Sequence, residues 1–473
     1  MCVGTLVLFC GEKNMTENKT KDLTVGNPFT LIIGFSIPIF LGLLFQQFYS
    51  MVDTMIVGQT LGVDALAAVG STGSITFMVV GFCNGIASGF AIPVAQRFGA
   101  KDEKGLKRTI ANSIYLAIVF SVVITLFVTH YCRNILGLMN TPADIIDGAY
   151  AYLIVIFWGI PVTFFYNLFS GIMRSLGDSK TPVVFLVLAS AINIILDFVF
   201  ILSLGMGVEG AAYATVISQF IAALGSGIFM VKKYPIIRMS REERKADFQC
   251  ALQLCYMGLP MGLQYSITAI GSVILQTAVN GLGSTAVASM TSACKIACFF
   301  LVMFDALGST MATYGGQNVG AKRLDRVTKG LFTACAIGMV YSVFASAILV
   351  VFGDKLALLF VDPSETQIIA NVVTYLKIES GFYVLLTLVN CVRFMIQGMG
   401  FSMFAVLAGV MEMIARAVVA FTLVPLFGYA GACMASPIAW ILADLFLIPA
   451  FFHVRKKLQK RFEASENTSG VTL

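Results

Sequence analysis

Long apolar runs dominate this chain, and polar residues interrupt them only in short clusters. A hydrocarbon core asks for about 20 consecutive apolar residues per helical span. Read on that scale, the sequence predicts twelve spans, at about 29–58, 64–96, 109–130, 149–173, 182–204, 208–231, 248–282, 286–318, 328–352, 367–398, 402–424 and 429–454. Gly, Pro and polar clusters mark the breaks, among them "TLGVDA", "NTPADIIDG", "SLGDSKTP", "GMGVEG", "GDKLALLFVDPSE" and "LFGYAG". Lipid cannot hydrogen-bond a backbone, so a span is a helix or part of a closed barrel. These runs are continuous rather than short and alternating, which excludes the barrel. The expected fold is an all-α polytopic membrane protein.

The basic residues then fix an orientation. Arg97, Lys101, Lys104, Lys107 and Arg108 follow span 2, and Arg174 and Lys180 follow span 4. Lys232, Lys233, Arg238, Arg241, Arg244 and Lys245 fill the central loop, and Lys322, Arg323, Arg326 and Lys329 follow span 8. Arg455, Lys456, Lys457, Lys460 and Arg461 lie in the tail, whereas the opposite loops carry only Arg133 and Lys355. The positive-inside rule puts both termini and the central loop in the cytoplasm.

The two halves repeat. "LGVDALAAVG" (61–70) answers "LGSTAVASMT" (282–291), and "AQRFGAKDEKGLKR" (95–108) answers "GQNVGAKRLDRVTK" (316–329). "GVEGAAYAT" (207–215) answers "GYAGACMAS" (428–436), and all three pairs share one offset of 221 residues. Six spans return the chain to its starting side, so the halves share an orientation. The expectation is two six-helix bundles related by a pseudo-two-fold axis along the membrane normal, an architecture of transporters. The segments are a cytoplasmic N-terminal stretch (1–27), a first lobe (28–232), a linker (233–247), a second lobe (248–454) and a cytoplasmic tail (455–473). No filter-like ring of charges or carbonyl motif points to a channel.

Charges inside the spans stand out against this background, because an ionisable side chain at mid-membrane costs roughly 2.5–3.5 kcal/mol on insertion scales. The first half offers Asp53 in "YSMVDTMIVG" and Asp197 in "NIILDFVF". Tyr49 is one helical turn before Asp53 and Asn193 one turn before Asp197, each pair on one face; Thr215 of span 6 adds a hydroxyl. Asp53, Asn193, Asp197 and Thr215 form a hard-oxygen set suited to Na⁺. Two close, desolvated carboxylates equally suit uptake and release of H⁺. The bland alternative is a set of polar contacts bridging helices. The second half offers Lys295, Asp305, Glu379, Glu412 and Arg416, with Arg393 nearer a span end. Glu412 and Arg416, at i and i+4, predict an internal salt bridge, and Lys295 is expected to pair with Glu379. Gln47, Lys295, Glu379, Arg393, Glu412 and Arg416 are the candidates for a substrate cavity, with Asp305 as a further resident.

Composition narrows the picture. Of 473 residues 58% are hydrophobic and only 12% charged, against about 25% charged in soluble domains. The net charge of +6 sits in loops, so the positive-inside rule explains it and nucleic acid need not be invoked. The 11 cysteines show no metal or disulfide spacing and read as packing residues. The 22 Met and 39 Phe are mostly core or lipid-facing, though soft and aromatic walls suit promiscuous binding of apolar cations. There is no G-x-x-x-x-G-K-[ST], so ATP is not expected as an energy source, nor does a catalytic motif surround His130 or His453. "MCVGTLVLFC" makes a poor signal peptide, and the polar leader from Met15 predicts that Met15 is the natural start.

Several stretches together resemble the multidrug and toxic compound extrusion (MATE) family, in its prokaryotic branch with an acidic pair in spans 1 and 5. They are "FSIPIFLGLLFQQFYSMVDTMIVGQTLGVDALAAVG", "GAKDEKGLKR", "FSGIMRSLGDSKTP", "NIILDFVFI", "YGGQNVGAKRLDRV" and "IQGMGFSMFAVLAGVMEMIAR". The resemblance runs from about Asn27 to the end of span 12. It implies a V-shaped pair of bundles in a prokaryotic inner (plasma) membrane, working as a monomer. It implies export of organic cations in exchange for H⁺ or Na⁺, with no permanently bound cofactor. It implies a first-lobe coupling site at Tyr49, Asp53, Asn193, Asp197 and Thr215. Another branch carries a key acid on span 7, where this chain has none. A relative that flips lipid-linked sugars, or a narrow metabolite exporter, is the competing expectation. The sugar flippase needs a cationic cavity to hold a pyrophosphate.

Overall fold

The computed structural model describes residues 22–139, 141–142 and 145–469. The expectation about Met15 lies outside the described residues. Among those described, the chain forms sixteen α-helices and no strand. They are α1 (Pro28–Leu61), α2 (Val63–Ser71), α3 (Gly73–Gly99), α4 (Glu103–His130), α5 (Cys132–Leu138), α6 (Ile146–Trp158), α7 (Ile160–Ser175) and α8 (Lys180–Asp197), then α9 (Val208–Lys233), α10 (Phe248–Asn280), α11 (Ser284–Gly320), α12 (Leu324–Ala357), α13 (Thr366–Ser380), α14 (Tyr383–Gly398), α15 (Ser402–Cys433) and α16 (Ala435–Ser469). Ten are long and apolar enough to cross a membrane, with α8 counted together with the turn that extends it to Ser203. The pairs α6–α7 and α13–α14, bent by 46° and 51°, bring the number to twelve if each counts as one span. Those bent pairs are the predicted spans 4 and 10, which occupy equivalent places in the two halves.

Local chemistry sets the boundaries. Asn27 caps α1 by accepting from the Phe29 amide, with Pro28 at the first helical position. Asp102 caps α4 through Gly105, and Asp247 caps α10 through Gln249 and Cys250. The repeat survives in the backbone. Gly62 and Gly283 both sit at positive φ (87° and 96°), and so do Lys101 and Lys322 (56° and 57°). In "LFGYAG" the break falls at Gly428, φ 58°, after which helical geometry resumes to Cys433.

Each lobe reaches across to the other: α1 packs on α11, and its repeat counterpart α10 packs on α3. The α3–α10 crossing is made by glycines four apart on both helices. A Cβ at Gly85 would lie 2.5 Å from the Met261 carbonyl oxygen, and one at Gly89 would lie 2.5 Å from Gly258 Cα. Without a hydrophobic drive between helices in lipid, such close backbone approach supplies the packing.

At the end bearing the basic loops, the lobes are stitched by a symmetric pair of amides. Gln96 Nε2 donates to the Gly398 carbonyl at 3.0 Å, and Gln317 Nε2 donates to the Ser175 carbonyl at 2.8 Å. Gln96 and Gln317 are repeat counterparts, and the helices they reach, α14 and α7, are counterparts too. The Leu23 amide donates to Gln317 Oε1 at 2.8 Å, while Asn318 and Arg326 donate to the Leu23 carbonyl, each at 3.3 Å. The linker is tied to the first lobe by Lys107–Glu243 at 3.3 Å and Arg108–Asp247 at 3.0 Å.

Candidate functional site

Asp197 is the last residue of α8 and is fully buried; Asn193, one turn earlier, is buried as well. Immediately after Asp197 the helix widens into a π-helical turn, Phe198–Ser203. Such turns re-aim side chains and are frequent at functional sites. Asn193 Nδ2 donates to Thr215 Oγ1 of α9 at 3.4 Å, and Thr215 Oγ1 donates to the Ala211 carbonyl at 3.1 Å. Asp53 of α1 meets Asp197 side chain to side chain, and Tyr49 stands beside both carboxylates. The structure therefore gathers Tyr49, Asp53, Asn193, Asp197 and Thr215 into one cluster.

Four oxygens of this cluster lack donors. Asp53 Oδ1, Asn193 Oδ1 and both carboxylate oxygens of Asp197 are buried with no hydrogen-bond partner among the described residues. Two facing carboxylates in low dielectric cannot both stay ionised without a compensating cation. A shared proton or a small cation between them resolves the conflict. Two tyrosines escaped the sequence analysis: Tyr152 of α6, in electrostatic reach of Asp53, Tyr49 and Asp197, and Tyr166 of α7, beside Tyr49. Their signal was weak, since a Tyr in a span is ordinary.

The cluster opens onto a cavity of about 530 Å³ between the lobes, within the usual range for small-molecule sites. Tyr49 and Asn193 belong to its wall, with Gln46, Asn84, Tyr166, Asn167 and Arg174 from the first lobe. The second lobe contributes Gln264, Tyr265, Asp305, Asn390 and Arg393. Asn167 Nδ2 donates to Asn84 Oδ1 at 2.8 Å.

Of the six residues expected to line a substrate cavity, only Arg393 does so. Gln46 takes the place expected for Gln47. The expected Glu412–Arg416 salt bridge is replaced by a buried pair between Arg393 and Glu412. Arg416 instead donates to the Thr268 carbonyl at 3.4 Å. The i, i+4 rule considers one helix alone, whereas Glu412 turns toward α14. Lys295 is exposed on α11 and makes no ion pair with Glu379. Glu379 is buried and accepts from the Tyr375 hydroxyl at 2.9 Å, and it lies in the field of Arg416. Asp444 of α16 was missed. It is 5% exposed, with neither carboxylate oxygen partnered among the described residues. As a lone acid in "AWILADLFLIPA" it carried the same signal as Asp53. Among the described residues no group of three or more His, Cys, Asp or Glu is placed to hold a metal ion.

A family model described as MatE matches residues 38–199 and 260–422, one stretch in each half. Probable multidrug resistance protein YpnP of Bacillus subtilis (strain 168) is 31% identical over 77% of this chain and 81% of its own. Probable multidrug resistance protein YoeA of the same organism is 29% identical over 71% and 74%. A MATE protein solved in complex with MaL6 superposes with a TM-score of 0.87 at 24% identity, covering 94% of this chain and 100% of its own.

Proposed function

The chain belongs to the MATE family of multi-pass membrane transporters, which are not enzymes, and on that premise we propose that it exports organic cations in exchange for H⁺ or Na⁺. The relatives described as multidrug resistance proteins support a broad range of amphiphilic substrates. The observation that carries the coupling is the set of donorless buried oxygens on Asp53, Asn193 and Asp197. Those atoms, with Thr215 Oγ1, are the ligands for Na⁺ if Na⁺ is used. If H⁺ is used, the proton sits between Asp53 and Asp197.

The ion acts by choosing between two packings of the lobes. When the carboxylates are neutralised, α1 and α8 approach freely; when both are charged, repulsion favours another arrangement. Substrate and ion then compete through their different affinities for the two states. Tyr49 and Asn193 belong to both the cluster and the cavity wall, so the two events share side chains. The positive-inside bias of the loops supports a cytoplasmic position for the stitched end, with both termini inside, and the bacterial relatives support the plasma membrane. Arg174 and Arg393 would suit a lipid-linked pyrophosphate, but Glu412 neutralises Arg393, and a single remaining arginine ranks that substrate lower.

The test uses purified protein in liposomes with a fluorescent organic cation, under a Na⁺ gradient and a proton gradient applied separately. Dye movement under one gradient, lost in Asp53→Asn with normal insertion, is the expected result. Efflux near wild type by Asp53→Asn, or no movement under either gradient, overturns it.

A further inference from the structure

A short non-helical segment, residues 22–26, runs ahead of α1 and is gripped by the second lobe. Leu23 is fully buried and belongs to the same apolar core as Tyr314 and Val319. Its amide donates to Gln317 Oε1 at 2.8 Å, and its carbonyl accepts from Asn318 Nδ2 and Arg326 Nη2, each at 3.3 Å. Arg323 Nη1 donates to the Thr24 carbonyl at 3.2 Å, and Arg326 Nη1 to the Gly26 carbonyl at 2.9 Å. Gly26, at φ 102°, then turns the chain toward α1.

Two side chains depend on this segment. Arg326 is 8% exposed and makes no ion pair among the described residues. Its guanidinium is satisfied by Asn318 Oδ1 at 3.1 Å and by the Leu23 and Gly26 carbonyls. A buried cation without acceptors is costly, so lifting the segment strands this charge. Gln317 is held from both sides: Oε1 accepts from Leu23 while Nε2 donates to the Ser175 carbonyl of the first lobe. Leu23 thereby aims the amide across the seam. Asp22, at the other end of the segment, borders a cavity of about 250 Å³ whose wall includes Arg97 and Lys101 of the first lobe. The first lobe has no equivalent grip. At the positions 221 residues before Asn318 and Arg326 it carries Arg97 and Gly105. The linker, the counterpart of the segment, is held by the Tyr115 hydroxyl, which donates to the Arg244 carbonyl at 2.8 Å. Among the described residues no hydrogen bond of the linker reaches Gln96.

We propose that residues 22–26 are a latch on the stitched end of the molecule. The segment is continuous with α1 of the first lobe but is gripped by the α11–α12 turn of the second. The lobes cannot part at this end while that grip holds. The two stitches are therefore unequal: Gln96 is released by the parting of the lobes alone, whereas Gln317 is released only when Leu23 lifts. The cytoplasmic position of this end rests on the export reading above. The latch itself does not depend on which ion or substrate is carried.

Hydrogen–deuterium exchange on the full chain in detergent reads the latch without any transport. In wild type the Leu23 amide should exchange no faster than 94–101 around Gln96. Leu23→Pro removes the amide donor and should quicken both 94–101 and 315–322 roughly 2- to 10-fold, the range for one neutral hydrogen bond. Arg326→Gln leaves the segment's own sequence intact and should quicken both roughly 10- to 100-fold, as for bonds from a charged donor. The response of 94–101 decides, since it lies in the first lobe and neither substitution falls within it. Wild-type rates there, with quickening confined to 315–322, would make the segment a local anchor and overturn the latch. A freely exchanging Leu23 amide beside a protected seam in wild type overturns it too, even if neither variant folds. No dye movement in liposomes, with these exchange results intact, overturns the export reading and leaves the latch standing.

Discussion

A buried charge in lipid has few ways to persist, and this protein shows two of them side by side. Arg393 and Glu412 neutralise each other, both almost fully buried. Breaking such a pair strands the other charge, at about 3–5 kcal/mol. Glu412→Ala should therefore lower stability by that order, read as a fall in the unfolding temperature in detergent; an unchanged temperature would mean that Arg393 is compensated otherwise. On the proposed coupling role, Asp53 and Asp197 take the second way, holding an ion or proton in turn. For them, Asp197→Asn should keep the fold, since the amide removes the repulsion, yet abolish ion-coupled dye efflux in liposomes. The cluster was legible in the sequence because each member is a lone polar group on an apolar helix, with Tyr49 and Asn193 one turn from their carboxylates. The pairings of the second lobe were not. Glu412 has Arg416 four residues on, but its partner Arg393 is on another helix, and only packing reveals that.

Among the elements, hydropathy locates the spans because each is a long apolar run, but it says little about their interruptions. The bend at Gly159 lies inside apolar sequence, the bend at Gly381 follows only the short polar cluster Lys377, Glu379 and Ser380, and the π-helical turn after Asp197 has no compositional mark. Contacts between elements outside the membrane are more readable as charges. The α7–α8 turn is clamped by Asp178, which accepts from Lys180 and Thr181 amides at 3.0 Å each, besides Lys233, Thr181 and Tyr234 side chains. Burial alone would raise its carboxyl; the hydrogen bonds from Lys233, Thr181 and Tyr234 outweigh that and lower it from 3.8 to about 2. A depressed carboxylate stabilises the folded state above its unfolded value and loses that effect as pH falls from about 3.8 through about 2. The contribution is about 2 kcal/mol. Asp178→Asn should lower the unfolding temperature at pH 7 and flatten its dependence on pH between those values. The same pH dependence in wild type and variant would assign it to other groups. At the α3–α10 crossing, Gly89→Val has no room beside Gly258 and should prevent recovery of folded protein; normal yield would show that the helices can separate.

At the scale of the whole molecule, the repeat read from the 221-residue offset becomes a mechanical symmetry. Gln96 and Gln317 cross the seam in opposite directions, each donating to the end of the helix that follows the bend in the other lobe. Gly99 and Gly320 allow this approach, because a side chain at Gly99 would strike the Gln317 carbonyl and one at Gly320 the Gln96 carbonyl. The seam is also where the lobes must part if the cavity is to open toward the basic loops. Each amide contributes roughly 0.5–1.5 kcal/mol net, so the pair holds the closed end by about 1–3 kcal/mol, a 5- to 150-fold bias. Removing both in Gln96→Ala/Gln317→Ala should shift the population by that factor toward the arrangement open at the basic end. Hydrogen–deuterium exchange would then quicken in two segments related by the repeat, 94–101 around Gln96 and 315–322 around Gln317, while the α3–α10 crossing near Gly85 stays protected. Exchange at wild-type rates in both segments would place the closing force elsewhere, in the glycine contacts themselves. Faster exchange in only one segment would mean that the stitches act singly. Equal quickening in both is what a two-fold seam requires.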